Sequence, residues 1–241
     1  MPKTHHDPAP LGRFAFCSLV GIVALALVGC PPPPTVVPET RVWRTLVLPQ
    51  PPPPPPPVVA KPPKKATVTI LPRSSWAFDQ PIASRLEPMG RAYRLTIHHE
   101  GMGVETVESI DTVKGQLRKI EAAHKRLGWG DVGYHYIIDV NGRVWEGRPI
   151  KYQGAHAGNG TVNKGNIGVV LLGNFDLQRP SAASLASLRS LTEFLMSEYS
   201  ISVANIYTHN EIRLKFGLSA TDCPGKNLQR EVDAMRKRLP R

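Results

Sequence analysis

Cysteine is scarce in this chain. There are three among 241 residues, at positions 17, 30 and 223. Long apolar runs are missing as well. The longest, Phe14 to Val28, is about fifteen residues, short of the roughly twenty that a membrane-spanning helix needs. Acidic residues are outnumbered, 19 against 30 Lys and Arg, for a net charge of +11. The excess persists, at about +6, in the stretch from Ala66 onward. Such a balance suits an anionic partner, a charged polymer or lipid headgroups, and equally a plain solvated basic surface.

The apolar run fits the core of a secretion signal. It follows a polar segment holding Lys3 and Arg13 and ends in Leu27-Val28-Gly29-Cys30. That ending resembles a lipobox, in which the cysteine is lipidated and becomes the first residue of the mature chain. Residues 1–30 are therefore expected to be a lipoprotein signal, with Cys30 the lipidation site; an ordinary signal with a chance cysteine is the alternative. Export makes nucleic acid a poor partner. It also isolates Cys223, which has no disulfide partner in an oxidising compartment and asks for another explanation. Residues 31–65 read as a linker, with Pro31 to Pro34 and the seven prolines Pro51 to Pro57. Polyproline II rises about 3.1 Å per residue, so such a tether extends on the order of 100 Å.

From residue 66 the pattern is that of one α/β domain with a mixed sheet, about three flanking helices and a single core. Pro72 to Trp76 is a leading loop with Trp76 packed, and residues 91–99 form a strand. Leu95, Ile97 and His99 fall on one face of it, Thr96 and His98 on the other. Residues 107–127 form a helix whose stripe is Ile110, Val113, Leu117, Ile120, His124 and Leu127, with Gly128 as its stop. His124 on that stripe reads as a hydrogen-bonded core histidine. A strand from about Tyr134 turns at Asn141-Gly142 into Arg143 to Glu146. Asn166 to Leu172 is a central strand covered on both faces. Residues 182–199 form a helix capped by Ser181, with Leu185, Leu188, Leu191, Leu195 and Tyr199 inward. Val203 to His209 reads as a further strand, and 227–238 as the last helix.

Two imidazoles and one thiolate are a common catalytic zinc set, with a fourth position open to water. Spacing alone does not select His98, His209 and Cys223 from eight histidines and three cysteines. Scattered core and surface histidines are the bland alternative.

An ordered set of motifs adds to this reading. It comprises Ile97-His98-His99, Gly128 to Tyr136, Glu146-Gly147-Arg148, Gly154-Ala155-His156-Ala157, Asn166-Ile167-Gly168-Val169, His209-Asn210-Glu211 and Thr221-Asp222-Cys223-Pro224-Gly225. From about Tyr93 to Leu228 the chain resembles the zinc-dependent N-acetylmuramoyl-L-alanine amidases of the T7 lysozyme and peptidoglycan recognition protein type. The resemblance implies His98, His209 and Cys223 as Zn2+ ligands in a surface groove. It implies Tyr134 as a catalytic hydroxyl that holds the attacking water or the carbonyl oxygen as charge develops. Thr221 stands where T7 lysozyme has lysine and the recognition-protein amidases have threonine, a donor to the oxyanion without positive charge. His156 and Asn163 correspond to groove residues that contact muropeptide or order a loop. Arg148 meets a stem-peptide carboxylate or covers the sheet edge. His99 is packing or supports the site from behind.

The implied reaction is hydrolysis of the amide between N-acetylmuramic acid and the L-alanine of the stem peptide. The chain would be a monomeric lipoprotein held at a membrane, facing the periplasm from the outer membrane. A peptidoglycan-binding module without catalysis and a lipoprotein that merely links membrane to wall are the other classes. One departure stands out. The family's second histidine and its cysteine are usually eight positions apart, whereas His209 and Cys223 are fourteen apart. Arg213 to Ser219 therefore reads as an insertion beside the metal site.

Overall fold

The computed structural model describes residues 68–103, 106 and 108–240. The expected signal, Cys30 and the proline linker lie outside the described residues. The described chain forms a six-stranded mixed sheet in the order β1-β4-β3-β5-β2-β6. The strands are β1 (Ile70–Leu71), β2 (Arg94–His99), β3 (Tyr136–Ile138), β4 (Val144–Glu146), β5 (Asn166–Leu171) and β6 (Ile206–Thr208). Within this sheet only the β3–β4 hairpin is antiparallel; β2 lies between β5 and β6, parallel to both. Gly142, at φ 80°, supplies the left-handed step of that hairpin turn, which a side chain would disfavour.

Helices cover both faces. The long ones are α1 (Ile110–Arg126), α3 (Ala182–Tyr199) and α5 (Lys226–Arg236); α2 (Gly160–Asn163) and α4 (His209–Lys215) are short. Strand alternation divides the core in two. Leu95, Ile97, Ile167, Val169 and Leu171 face Leu188, Leu191 and Leu195 of α3 and Leu228, Val232 and Met235 of α5. Ile137, Trp145, Val170 and Leu172 face Val113 and Leu117 of α1, with Trp76 beside them. His98 points to the α1 side and His99 to the other, as the period of two requires.

Several expectations are corrected. The strand over 91–99 begins at Arg94, and the helix over 107–127 begins at Ile110, where the Ser109 side chain accepts from the Thr112 amide. Ile110 and Leu127 are exposed. The covered stripe is Val113 and Leu117, joined by Glu121, which is buried by its ion pair with Arg73. The strand read as Val203 to His209 ends at Thr208, because Thr208 and Glu211 form a capping box that opens α4 at His209. Short β1, paired in parallel with β4, is an addition to the expected strands. The last helix spans Lys226–Arg236 rather than 227–238. Ser181 caps α3 as expected, accepting from the Ser184 amide.

Candidate metal centre and groove

Three elements deliver the candidate metal-ligating side chains. His98 comes from the carboxyl end of β2, His209 from the first residue of α4, and Cys223 from the loop before α5. One ligand atom from each lies within 4.8 Å of the other two. Cys223 Sγ is 3.6 Å from His98 Nδ1. The imidazole centroids of His98 and His209 are 4.5 Å apart.

The fourteen-residue spacing does not separate the ligands. The chain leaves His209 through α4, turns at Phe216-Gly217 and returns. Asn210 closes the base of this excursion: its amide donates to the Cys223 carbonyl at 3.0 Å, and its Oδ1 accepts from the Thr221 amide at 3.0 Å. Glu211 extends the link to α5, accepting from Gln229 Nε2 and Arg236 Nη2. Within the excursion, Arg213 Nε donates to the Ser219 carbonyl at 2.6 Å. Phe216 lies against the Arg94 guanidinium, 4.9 Å from ring centroid to Cζ. The insertion is mostly exposed, anchored by these contacts and by half-buried Leu218, and it contributes Arg213 to the groove.

A metal fits this donor set. His209 Nε2 is buried without a hydrogen-bond partner, and such an atom costs stability unless something occupies it. Cys223 is a free cysteine. Burial pushes its thiol up to about 12, with a smaller push from Asp176. Burial, then Arg213 and His99, holds His209 down at about 4. Burial first, then the neighbouring histidines, keeps His98 well below the ordinary imidazole range. The two imidazoles are therefore neutral at physiological pH, as metal coordination requires.

Tyr134 stands over this cluster. Its ring centroid is 5.2 Å from that of His98 and 6.3 Å from that of His156. Burial and the nearby Cys223 and Glu100 raise its hydroxyl, so it remains a protonated donor. Thr221 is half-buried, and its Oγ1 accepts from the Cys223 amide at 3.4 Å.

A groove of about 550 Å³ opens beside these groups, within the range of small-ligand sites. Tyr134, His156, Asn163 and His209 line it, with Arg85, Trp129, Arg148 and Arg213. Asn163 orders the loop before it: Oδ1 accepts from the amides of His156 and Ala157 at 3.1 and 2.8 Å. Arg148 is buried, and its guanidinium donates to the carbonyls of Val132, Gln153 and Asp131. That ties down the groove wall, a third arrangement beside the carboxylate contact and the edge cover expected of it. His156 bridges His98 Nε2, at 3.0 Å, and the Asn166 carbonyl, at 3.1 Å. His124 accepts from the Gly133 amide, and His99 Nδ1 from the Phe175 amide, so neither joins the three metal donors. Sequence reasoning missed the Asn210 closure and the groove positions of Arg85 and Arg213.

The α/β domain thus gathers two imidazoles and a thiol at the end of its central strands, beside a groove that carries Arg85, Arg148 and Arg213. The N-acetylmuramoyl-L-alanine amidase family matches residues 89–226, and the chain belongs to that family. Peptidoglycan-recognition protein SC2 of Drosophila simulans is 30% identical over 167 residues, covering 68% of this chain and 85% of that protein. The structure of the amidase LysC from Clostridium intestinale URNW superposes with TM-score 0.56 at 26% identity, covering 72% of this chain and all of that one. A variant of Drosophila PGRP-LB, solved in complex with tracheal cytotoxin, gives TM-score 0.58 at 26% identity, covering 68% of this chain and 93% of that one.

Proposed function

We propose that this protein is a zinc-dependent hydrolase of the amide between N-acetylmuramic acid and L-alanine in peptidoglycan or muropeptides. The observation that carries the reading is the convergence of His98, His209 and Cys223 within 4.8 Å beside Tyr134 at the groove. Zinc held there supplies Lewis acidity, to the scissile carbonyl and to a water. The chain's own residues do the rest. The groove orients the muropeptide, Arg85 and Arg213 suit acidic stem peptides, and the Tyr134 hydroxyl donates to the carbonyl oxygen as negative charge builds on it. Thr221 is a second, uncharged donor on the ligand loop. Water adds to the carbonyl carbon, the C–N bond then breaks as the carbonyl re-forms, and the proton given up by the water passes to the leaving amine.

The family match and the peptidoglycan ligand of a structural relative support the substrate class. Recognition proteins among the relatives support a second reading, a module that binds without cutting. The complete His, His, Cys set favours the enzyme. Residues 1–30 as a lipoprotein signal with lipid on Cys30, residues 31–65 as a proline tether and 66–241 as the amidase domain complete the proposal. The mature protein would be a monomer at the outer membrane facing the periplasm. Zinc content and cleavage of defined muropeptides by the full chain test the core of it. One zinc per chain, with release of a peptide beginning in L-alanine that chelation abolishes, is the expected result. Zinc without cleavage would leave the binding module. Mass spectrometry of the amino-terminal peptide tests lipid on Cys30.

A further inference from the structure

Resting on the metal-centre reading, we infer that His156 is a positioning residue that fixes the tautomer of His98 and so selects Nδ1 as its metal-binding atom. The inference follows from donors and acceptors alone. The Asn166 carbonyl can only accept, so the His156 Nε2 facing it at 3.1 Å carries the proton. An imidazole with its one proton on Nε2 has a bare Nδ1. That atom lies 3.0 Å from His98 Nε2, which must therefore donate. With its proton on Nε2, His98 presents a bare Nδ1 with its lone pair. Nδ1 is also the nitrogen that faces Cys223 Sγ, at 3.6 Å, an observation independent of the other two. One carbonyl oxygen thus sets the protonation of two imidazoles and points a lone pair at the place where the three donors converge.

The ring of His156 is held in a slot made by two glycines. A Cβ on Gly168 would stand 2.5 Å from His156 Cδ2 and 2.7 Å from its Nε2. A Cβ on Gly154 would stand 2.5 Å from the same Cδ2 and 2.9 Å from His135 Cε1. Space, not backbone conformation, is what makes these positions glycine, since neither has a positive φ. The slot is braced from behind. His135 Nδ1 accepts from the Gly168 amide and its Nε2 faces the Tyr152 carbonyl. The groove-lining edge of His156 is therefore the visible side of a ring whose two nitrogens are already engaged.

Outer partners of this kind typically govern metal affinity by about 10–100-fold. The test uses the full chain and three readouts. In zinc-free wild-type protein, the nitrogen shifts of His98 should show the proton on Nε2, and zinc addition should perturb Nδ1. His156→Phe, which keeps a ring and loses both nitrogens, should weaken zinc binding about 10–100-fold in competition with a chromophoric chelator. Should that variant fail to fold, Gly168→Ala, which displaces the ring without deleting it, should give a loss in the same direction. A His98 proton found on Nδ1, or zinc affinity within about twofold of wild type in the folded variants, overturns the inference. Muropeptide cleavage by the wild type is scored separately. The expected affinity loss without any cleavage upholds the tautomer assignment and overturns the hydrolase reading. Cleavage with unchanged affinity does the reverse.

Discussion

Replacing Tyr134 by phenylalanine removes one hydroxyl from the wall of the groove and leaves the ring. The ring's neighbours, His98 at 5.2 Å, His124 at 5.8 Å and His156 at 6.3 Å between centroids, remain within reach of a phenyl group. Tyr134 is not among the three metal donors, so zinc content should stay at one per chain. If the hydroxyl donates to the developing oxyanion, its loss should lower kcat by about 10²–10³-fold, or about 2.7–4 kcal/mol. A donor that acts only in the transition state lowers kcat and kcat/KM together and leaves KM in place. Because burial raises the hydroxyl pKa, the wild-type rate should show no alkaline loss from Tyr134 ionising below about pH 10. The assay is steady-state cleavage of a defined muropeptide, beside elemental zinc analysis and a thermal midpoint expected to move by no more than about 2 °C. A kcat within about threefold of wild type, with zinc retained, would refute the donor role, since a single preorganised donor is worth far more than that.

Cys223→Ala should lose both zinc and cleavage. In the wild type, zinc uptake near neutral pH should release about one proton, because the thiol sits at about 12 without metal; pH-stat titration reads it. Arg73→Ala should destabilise the zinc-free protein by about 3–5 kcal/mol, since it leaves the buried carboxylates of Asp131 and Glu121 without the guanidinium they share; urea unfolding measures the loss. His124 and His135 are held at about 4, mainly by burial, so both stay neutral in the fold while the unfolded chain protonates them near 6.5. Stability from these two is intact above about pH 6.5 and falls as the pH drops toward 4, with a slope of up to about 1.4 kcal/mol per pH unit for each. A urea midpoint that stays flat between about pH 7 and 4.5 would contradict that assignment.

What could be read in the sequence was whatever has a local cause. β2 was legible because Leu95, Ile97 and His99 alternate with Thr96 and His98, and its burial on both faces follows from the helices that cover the sheet on either side. α3 was legible from its leucines and from Ser181, whose side chain is the cap. β1 was not, because two residues carry no period and Ile70–Leu71 is a strand only through β4. The end of β6 was misplaced by one residue with a local signal in view, the threonine and glutamate that cap α4. The candidate metal donors could not be derived from spacing. They meet because β2 sits beside β6, so the start of α4 falls next to the end of β2, and because Asn210 pins the return of the chain. Asn210 meets Thr221 and Cys223, and Gly168 meets His156, across eleven or more positions, which no local periodicity reports.

The two-residue β1 also has a mechanical consequence. Any pull carried by the chain before Val68 enters the fold through Ile70–Leu71, at the rim of the sheet. His98 lies on β2, four strands away, or about 19 Å at ordinary strand spacing. Peeling off so short a rim would break few hydrogen bonds and would leave β4, β3, β5, β2 and β6 joined. Strain at the amino-terminal side is therefore absorbed by a sacrificial edge before it can disturb the strand that carries His98.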